Sequence, residues 1–329
     1  MERIAEPIVV TGATGFIGRR LTARLLQDGF SPHALVLPSD PIPIEWGDRV
    51  RIFHGDVADR LDVMNAMREV RTVFHLAAVV GDWGSHALHR RVTVNGTEHV
   101  LAEAARREAR AILVSSVVVY GHRIGREICD ESLPFGRPLG PYSKSKQEQE
   151  RIARRLEAQR SLKVTIVRPT NVYGAGSRPW VDTPLEVMRA QRPILVGDGR
   201  QCAGLTHVDN VVDVLVRAAA SHAAVGRTYN ASDDNGVTWL RYFTELASLA
   251  GAPAPRSIPR APAAIAAVGC EAAYRLLRIA ERPPITREAL NLVGSNHRVP
   301  IERAKHELGY APRVSHQEAM KEIAAHLGV

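Results

Sequence analysis

Short runs of continuous apolar residues alternate, along the first part of the chain, with segments whose apolar positions recur at helical spacing. The runs are rich in β-branched residues and indicate strands, whereas the segments between them indicate amphipathic helices. The strand-like runs occupy 8–10, 33–37, 50–55, 72–78, 111–121 and 163–169, and the helical segments lie near 61–70, 94–109 and 143–159. Strands that are apolar throughout are typical of a parallel sheet covered on both faces, so the pattern predicts an α/β fold with a doubly wound parallel sheet of the Rossmann type.

The pattern loosens beyond residue 174, where proline and glycine interrupt it. A strand and a helix return at 205–220, another strand follows near 227–232, and mainly helical segments come after it. We therefore expect a smaller, mixed and mainly helical C-terminal lobe that binds substrate. The expected division is a dinucleotide-binding Rossmann domain at 1–173, completed by 205–232, and a substrate-binding lobe at 174–204 and 233–329.

The stretch 261–280 ("APAAIAAVGCEAAYRLLRIA") is apolar and predicted to be helical. We interpret it as a core helix of the smaller lobe, with covering an apolar substrate or touching a membrane surface as alternatives. Its run of small apolar residues, Ala261–Gly269, is about half of the 18 residues that a membrane span requires. No membrane span is expected.

Composition narrows the possible classes of protein. With 329 residues, of which 45% are apolar, the chain is long enough for one large globular domain and a smaller lobe. Its three cysteines lie far apart, and the N-terminus shows no secretory pattern, so we expect a reducing, cytoplasmic location. The net charge of +8 is spread along the chain, which argues against a nucleic-acid partner. His86 and His89 have no nearby cysteine or carboxylate to complete a ligand set, so no metal is expected.

Candidate chemistry begins at "VVTGATGFIGRRL" (9–21), where Gly12, Gly15 and Gly18 follow the first strand and open a helix. Glycine permits positive φ and close approach of a ligand to the backbone, and a helix N-terminus aims free N–H groups at an anion. An ordinary strand-to-helix turn is the alternative. Because the turn ends the first strand of a predicted Rossmann sheet, we favour a site for a dinucleotide pyrophosphate.

A second candidate site lies in "PYSKSKQEQE" (141–150), where Tyr142 and Lys146 are four residues apart and share one helix face. A nearby ammonium favours the phenolate and lowers the tyrosine pKa, so the pair can exchange a proton with an alcohol or a ketone. Ser116 lies in "SSVVVYG" (115–121), which ends the predicted strand at 111–121, and it can hydrogen-bond the reacting oxygen. The alternatives are an exposed helix face for the pair and a turn or cap for the serine.

These motifs resemble those of the extended short-chain dehydrogenases/reductases, also called the NAD-dependent epimerase/dehydratase family. The resemblance covers at least the first 230 residues and runs in the family's order through "TGATGFIG", "GDV" (55–57), "HLAA" (75–78), "SSVVVYG" (115–121), "YSKSK" (142–146), "RPTNVYG" (168–174) and "HVDN" (207–210). It implies that Ser116, Tyr142 and Lys146 are the catalytic triad. It also implies that NAD or NADP is bound by Gly12, Thr14, Gly15, Phe16, Ile17, Gly18, Asp56, Val57, Leu76, Ala77, Ala78, Thr93, Tyr142, Lys146, Pro169, Asn171 and Val172. A homodimer through the helices near 94–109 and 143–159 is the family's usual assembly.

Two departures from the family pattern affect the cofactor site. The family's "NVxGT" appears as "TVNGT", so Thr93 stands where the structural and proton-relay asparagine normally lies, and we expect it to keep one hydrogen bond. The acidic residue expected at the end of the second strand is missing, because the chain reads "LPSD" (37–40) there. Arg19 or Arg20 would help to bind a 2′-phosphate, so the choice between NAD and NADP stays open.

The same resemblance narrows the reaction. The acidic pair that dehydratases carry after the catalytic serine is replaced by Val117 and Val118, which argues against dehydration. Nucleotide-sugar epimerases commonly place a diphosphate-binding arginine where this chain has Ala203, and Arg200 would need a shifted loop to replace it. Asn171 does match a nucleotide-sugar contact. The expected substrate-binding residues are Val117, Val118, Asn171, Tyr173 and Arg200, with Thr170 among the few polar groups of the pocket.

The segments 77–97 and 283–312 look most like the 3β-hydroxysteroid dehydrogenase-like branch. The resemblance therefore implies an NAD(P)-dependent oxidoreductase that interconverts a secondary alcohol and a ketone on a largely apolar, sterol-like or β-keto-acid-like substrate. A nucleotide-sugar epimerase with tightly bound NAD is the main alternative. A catalytically idle dinucleotide-binding regulator is the other, although such a protein is expected to lose Tyr142 or Lys146.

Overall fold

The computed structural model describes residues 2–329. Within them, the strands are β1 (Ile8–Thr11), β2 (His33–Val36), β3 (Arg51–His54), β4 (Thr72–His75), β5 (Arg110–Val114), β6 (Lys163–Pro169), β7 (Asn171–Tyr173), β8 (Pro193–Val196), β9 (Leu205–His207), β10 (Thr228–Ala231) and β11 (Arg256–Ile258). The helices are α1 (Phe16–Gln27), α2 (Arg60–Ala66), α3 (His86–Leu88), α4 (Gly96–Arg106), α5 (Pro141–Arg160), α6 (Thr183–Arg189), α7 (Val208–Ala219), α8 (Trp239–Leu249), α9 (Arg260–Leu276), α10 (Arg287–Val293), α11 (Glu302–Leu308) and α12 (His316–Leu327). A π-helical segment, His89–Asn95, joins α3 to α4.

The main sheet has the order β10-β6-β5-β4-β1-β2-β3, and every neighbouring pair in it is parallel. The order reverses at β1, which lies between β2 and β4. This is the doubly wound Rossmann architecture that the sequence predicts. In such a sheet the ligand lies beyond the carboxyl ends of the strands, at the point of reversal.

The two faces of the sheet carry separate apolar cores. On one face, α1 and α7 pack together, and α11 adds Ala304 and Leu308 to their core. On the other face, α2, α4 and α5 cover the sheet through residues such as Val63, Val100 and Leu156. The sheet is therefore buried on both sides, which explains why its strands are apolar throughout.

A smaller core lies in the second lobe, where α6, α8 and α12 pack around Tyr173, Trp239 and Tyr242. The short parallel pair of β8 and β11 lies in this lobe, whereas β7 pairs with β9. Helix α11 belongs to the sheet's core, although the sequence pattern groups its residues with the substrate-binding lobe.

The predicted strand at 111–121 is only partly a strand. It ends at Val114, and Val117–Arg123 form a 3-10 segment whose N-cap is Ser116. The Ser116 hydroxyl accepts a hydrogen bond from the Val118 N–H, 3.3 Å away. The side chains from Val117 to Tyr120 are buried in this 3-10 segment. Buried strands are apolar too, so apolar character does not distinguish a strand from a tight helical turn here.

The predicted helix at 261–280 is present as α9, but the interpretation of it as a core helix is wrong. Only Ala263, Ala267 and Glu271 of α9 are buried. The sequence pattern shows that the segment is apolar, but it does not show whether other parts of the chain cover it.

Candidate active site

The glycine turn lies at the carboxyl end of β1, where the strand order reverses. Gly12 has a φ of +68°, and a Cβ there would lie 2.8 Å from the Ala77 backbone nitrogen. A Cβ on Gly18 would lie 2.1 Å from the Gly12 carbonyl oxygen. Larger side chains therefore do not fit this turn without moving the backbone.

Helix α1 begins directly after this turn with Gly15 as its N-cap, so no side chain caps it, and its first turn carries no acidic residue. Its first N–H groups and the positive end of its dipole stay available to an anion. These features fit a dinucleotide pyrophosphate, as the sequence predicts. Phe16 and Ile17 form the first turn of α1.

An acidic residue does reach this turn, although none lies at the end of β2, where the family pattern places one. The Thr14 hydroxyl donates a hydrogen bond to Asp40 Oδ2, because the segment after β2 folds back over the glycine turn. Arg19 Nε donates to the Thr14 carbonyl oxygen at 2.9 Å. Arg20 instead pairs with Asp209 and Glu322, so its charge is already neutralised.

Asp56 and Val57, two of the residues that the resemblance implies for cofactor binding, lie in the turn after β3. Asp56 Oδ1 accepts a hydrogen bond from the Ala58 N–H at 2.9 Å, and Oδ2 forms an ion pair with Arg91 at 2.9 Å. Val57 is buried against Gly96 at the start of α4. The turn is therefore held by its own side chain and by the helix beside it.

The segment Leu76–Ala78 continues from β4 along the glycine turn. Its backbone is held by Thr11, whose carbonyl oxygen accepts from the Leu76 N–H and whose hydroxyl accepts from the Ala77 N–H. Thr93 Oγ1 accepts a hydrogen bond from the Val79 N–H at 2.9 Å. The expectation that Thr93 keeps one hydrogen bond is confirmed.

The fold brings Ser116, Tyr142 and Lys146 together. Ser116 follows β5 at the carboxyl edge of the sheet, and the other two lie in the first turns of α5. The Lys146 Nζ lies 5.9 Å from the centre of the Tyr142 ring and donates to the Val114 carbonyl oxygen at 2.9 Å. The Ser116 hydroxyl lies beside the Tyr142 phenol, and their interaction lowers the pKa of the phenol.

Burial dominates the protonation of both α5 residues. It raises the pKa of Tyr142 well above its ordinary value, and the hydrogen bond with Ser116 only partly opposes this. It lowers the pKa of Lys146 to about 7, against the attraction of Glu150. The direction for Tyr142 is opposite to the one expected from a neighbouring ammonium, because desolvation penalises the phenolate more strongly. Tyr142 therefore holds its proton at neutral pH.

A buried ionic network fixes α5 against the sheet. Glu150 accepts two hydrogen bonds from Arg168, at 2.9 and 2.7 Å, and a third from the Ser115 hydroxyl at 2.6 Å. Arg168 also donates to the Tyr120 hydroxyl at 2.9 Å. Because Ser115 precedes Ser116 and Glu150 lies one turn beyond Lys146, this network holds the strand end and the helix at a fixed separation.

The second lobe contributes a residue that sequence patterns did not reveal. Glu288 of α10 accepts a hydrogen bond from the Ser143 N–H at 3.0 Å through Oε1, and so caps the first turn of α5. Within residues 2–329, its Oε2 is buried and has no hydrogen-bond partner. Burial, followed by the charge of Asp82, raises the pKa of Glu288 to about 8, although the bond from Ser143 opposes the shift. The charge of Glu288 in turn raises the pKa of Tyr142.

Asp82 ties the segment after β4 to the second lobe. Its carboxylate forms a two-bond pair with Arg282, with Nε to Oδ1 at 2.7 Å and Nη2 to Oδ2 at 2.6 Å. It also accepts a hydrogen bond from Thr286, the N-cap of α10. These contacts hold α10, and with it Glu288, against α5.

The remaining predicted residues lie in several different environments. Val117 and Val118 are buried, and Val118 lines a small cavity together with Ser143 and Glu288. Pro169 ends β6, and Val172 packs against the sheet's core. Arg200 is 81% exposed and pairs with Asp198 in its own loop.

The polar residues of the "RPTNVYG" segment are engaged within the protein. Thr170 is hydrogen-bonded to Thr206, and the Asn171 amide donates to the Ala203 carbonyl oxygen at 2.7 Å. Tyr173 is fully buried, and its hydroxyl is hydrogen-bonded to His316 Nδ1 at 3.1 Å.

One group of side chains has the composition of a metal site, namely His207, Asp209 and Glu322. Arg20 already pairs with both carboxylates, and His207 Nε2 is hydrogen-bonded to Glu322 at 2.7 Å. The possible ligand atoms of this group are thus already engaged in ion pairs and a hydrogen bond within the protein. None of the helices in the described part of the chain is long and apolar enough to cross a membrane.

Comparison with known proteins agrees with this geometry. Residues 8–232 match the model of the NAD dependent epimerase/dehydratase family. The chain is 29% identical to the 2-alkyl-3-oxoalkanoate reductase of Stenotrophomonas maltophilia, over 97% of this chain and 98% of that protein. It is 30% identical to the 4-hydroxy-2-methyl-3-oxo-4-farnesyl-3,4-dihydroquinoline-1-oxide ketoreductase of Stigmatella aurantiaca, over 94% and 93% of the two chains.

Its fold superposes on the crystal structure of gox2253 with a TM-score of 0.80 and 25% identity, over 98% of this chain and 97% of that one. The family match covers the glycine turn, Ser116, Tyr142 and Lys146. The protein belongs to the NAD-dependent epimerase/dehydratase family, the extended short-chain dehydrogenases/reductases, and is an NAD(P)-dependent oxidoreductase.

Proposed function

We propose that the protein interconverts a secondary alcohol and a ketone on a largely apolar, sterol-like or β-keto-acid-like substrate. The adjacent set of Ser116, Tyr142 and Lys146 carries this proposal, because desolvation keeps the Tyr142 phenol protonated at neutral pH. Both relatives compared above are named as reductases of 3-oxo compounds that carry alkyl or farnesyl groups. A 3-oxo compound of that kind has a carbonyl oxygen on which Tyr142 and Ser116 could act.

In the reductive direction, Tyr142 donates its proton to the carbonyl oxygen while the Ser116 hydroxyl hydrogen-bonds the same oxygen. NAD supplies the hydride to the carbonyl carbon when it is bound in its reduced form. Lys146 would bind the nicotinamide ribose and, with a pKa of about 7, can replace the proton that Tyr142 loses. The glycine turn, Asp56, Leu76–Ala78 and Thr93 would position the cofactor.

The engagement of Asn171 favours this reaction over nucleotide-sugar epimerisation. A buried diphosphate needs cationic or hydrogen-bonding partners, because an uncompensated buried charge is very costly. Asn171 uses its amide on the Ala203 carbonyl, Ala203 is buried, and Arg200 points into solvent beside Asp198. The residues at these positions therefore give a diphosphate little support.

The test is a panel of candidate substrates, in which turnover is measured from the absorbance of the reduced nicotinamide. Purified protein is incubated with NADH or NADPH and either 2-alkyl-3-oxo acids, ketosteroids or short polar ketones, with Tyr142→Phe as the inactive control. We expect turnover with the apolar 3-oxo compounds. Micromolar binding of UDP or dTDP that Arg200→Ala abolishes would overturn the proposal in favour of an epimerase.

The assembly is also part of the proposal. We infer a homodimer through α4 and α5, which lie side by side on one face of the sheet and leave Val94, Ala102 and Ala105 only half-buried. The three free thiols fit a reducing, cytoplasmic location. Size-exclusion chromatography with light scattering checks the dimer, and Ala102→Arg is expected to separate it into monomers.

A further inference from the structure

Helix α9 touches the rest of the protein through a narrow stripe. Its buried residues, Ala263, Ala267 and Glu271, recur every four positions and so lie along one line of the helix. The other faces of α9 are nevertheless apolar. Ile265 is 76% exposed and Leu276 is 84% exposed. A helix that is apolar on nearly all sides is normally buried in a core or a membrane, and α9 is buried in neither within this chain.

The exposed apolar side chains form a continuous band. Ala261, Ile265, Val268, Ala272 and Leu276 follow one another at three- or four-residue steps, which places them on one face of α9. All five are exposed to solvent. Isolated exposed apolar residues are ordinary, but a contiguous band on one helix marks an interaction surface.

The exposed charged side chains of residues 260–278 are all cationic, and one of them, Arg275, lies 3.4 Å from the buried Glu271 carboxylate. Glu271 is the only acidic residue between 260 and 278, and it is buried, accepting hydrogen bonds from the Arg287 N–H at 2.7 Å and from Arg287 Nε at 2.9 Å. The exposed charges of the same stretch belong to Arg260, Arg275 and Arg278. An apolar helix face bordered by arginines is the arrangement of helices that lie in the interface of an anionic membrane.

A second copy of the chain fits the same surface poorly. A two-fold dimer would place the patch against itself, so each arginine would face the arginines of the other copy. With no exposed carboxylate on this stretch to pair with them, that contact would be repulsive. Anionic lipid headgroups supply the missing negative charge.

The same end of α9 borders a cavity beside the catalytic helix. The cavity has a volume of 480 Å³ and is lined by Trp83, Pro141, Tyr274, Arg275, Arg278 and Ile279, among others. Pro141 immediately precedes Tyr142 in α5. The band and the cavity are thus adjacent, and the cavity lies between the band and the catalytic tyrosine's helix turn.

We propose that α9 lies flat on an anionic lipid surface, with its apolar band in the acyl boundary and Arg275 and Arg278 among the headgroups. The cavity beside α9 then admits an apolar substrate directly from the lipid. The docking surface stands on exposure and charge alone, whereas the route of the substrate rests on the proposed function.

Vesicle flotation tests the docking surface without any substrate. The full-length protein is mixed with vesicles of phosphatidylcholine alone or with phosphatidylglycerol added. We compare wild type with the double variant Ile265→Ser/Leu276→Ser, with Arg278→Glu, and with Ile44→Ser as the matched control. Ile44 is 95% exposed and lies far from α9 in the sequence. All these positions are exposed, so the fold is expected to persist.

Wild type and Ile44→Ser are expected to float with the anionic vesicles and to bind them more weakly at high salt. The double variant Ile265→Ser/Leu276→Ser should reduce partitioning at least tenfold, because it removes two of the large apolar side chains that would be buried in the lipid. Arg278→Glu should weaken binding to anionic vesicles only. Absence of flotation by wild type, or equal flotation by the double variant, would overturn the proposal.

Two further results separate the alternatives. A self-associated species that the double variant dissolves would assign the band to a second copy of the chain. Failure to reduce any apolar ketone, with flotation intact, would reject the proposed function and leave the docking surface standing.

Discussion

Replacing Glu288 by glutamine tests whether the second lobe places a buried acid against α5. The substitution keeps the shape of the side chain and an oxygen that can accept from the Ser143 N–H, but it removes the ionisable group. In the folded protein the pKa of Glu288 is raised from its ordinary value of 4.5 to about 8. Between these two pH values the unfolded chain releases the proton and the folded protein keeps it. Stability due to this group is therefore greatest below pH 4.5 and falls as the pH rises through 8.

The size of the effect follows from the shift. At about 1.4 kcal/mol per pH unit, ionisation of Glu288 costs the folded state about 5 kcal/mol by pH 8. Between pH 5 and pH 8, with the group already partly ionised in the unfolded chain at pH 5 and half ionised in the folded protein at pH 8, about 3.5 kcal/mol of this is lost. A chain of this length unfolds with an entropy of about 0.7 kcal/mol per degree, so the melting temperature of wild type relative to Glu288→Gln should fall by about 5 °C between pH 5 and pH 8. The glutamine variant lacks the transition, because it has no proton to lose.

The assay is a melting curve for each protein at pH 5, 6, 7 and 8 in buffers of matched ionic strength. Glu281→Gln, at an exposed position of the same lobe, is the control and should track wild type at every pH. A wild-type curve that stays parallel to that of Glu288→Gln across the range would refute the burial of this carboxyl. So would a difference that grows in wild type's favour as the pH rises.

Three other changes test the catalytic and cofactor sites. Tyr142→Phe removes only the hydroxyl, so kcat should fall by about 100-fold or more while NADH binding, measured by calorimetry, stays near wild type; near-normal turnover would reject Tyr142 as the proton donor. Gly15→Val adds a branched side chain at the N-cap of α1, so dinucleotide binding should be lost while the circular dichroism spectrum is retained, and unchanged binding would make the turn purely structural. Asp40→Asn removes a negative charge beside Thr14 and should raise the kcat/KM ratio of NADPH to NADH about tenfold, because a carboxylate repels a 2′-phosphate; an unchanged ratio would place Asp40 away from the ribose.

The sequence predicted the elements of the sheet well, because buried parallel strands carry a strong local pattern. Its errors have physical causes. Val117–Tyr120 are apolar, which suits a buried strand as well as the buried 3-10 turn that Ser116 caps. Composition alone therefore could not distinguish the two structures. For α9 the pattern predicted a helix correctly but not its exposure, which depends on what packs against it.

The candidate site was predictable where it rests on short motifs and not where it rests on distant contacts. Tyr142 and Lys146 share a helix turn, and their spacing points to their partnership. Glu288 lies 145 residues from Ser143, and no local pattern connects them. Asp40 is the intermediate case: it lies near the expected position in the sequence, but only the fold of the segment after β2 brings it to Thr14.

The packing of α11 has a consequence for the order in which the protein can be completed during synthesis. Ile301, Ala304, Leu308 and Tyr310 belong to the apolar core under the sheet, and the Tyr229 hydroxyl of β10 donates to Glu307 at 2.7 Å. When β10 has just emerged from the ribosome, the nascent chain contains all the strands of the main sheet. It still lacks α11, which covers part of the same face as α1 and α7. That face stays open to chaperones, or to the same face of a neighbouring chain, until the residues of α11 emerge. A protein truncated after residue 232 would lack α11 permanently, and this face of its sheet would stay partly uncovered.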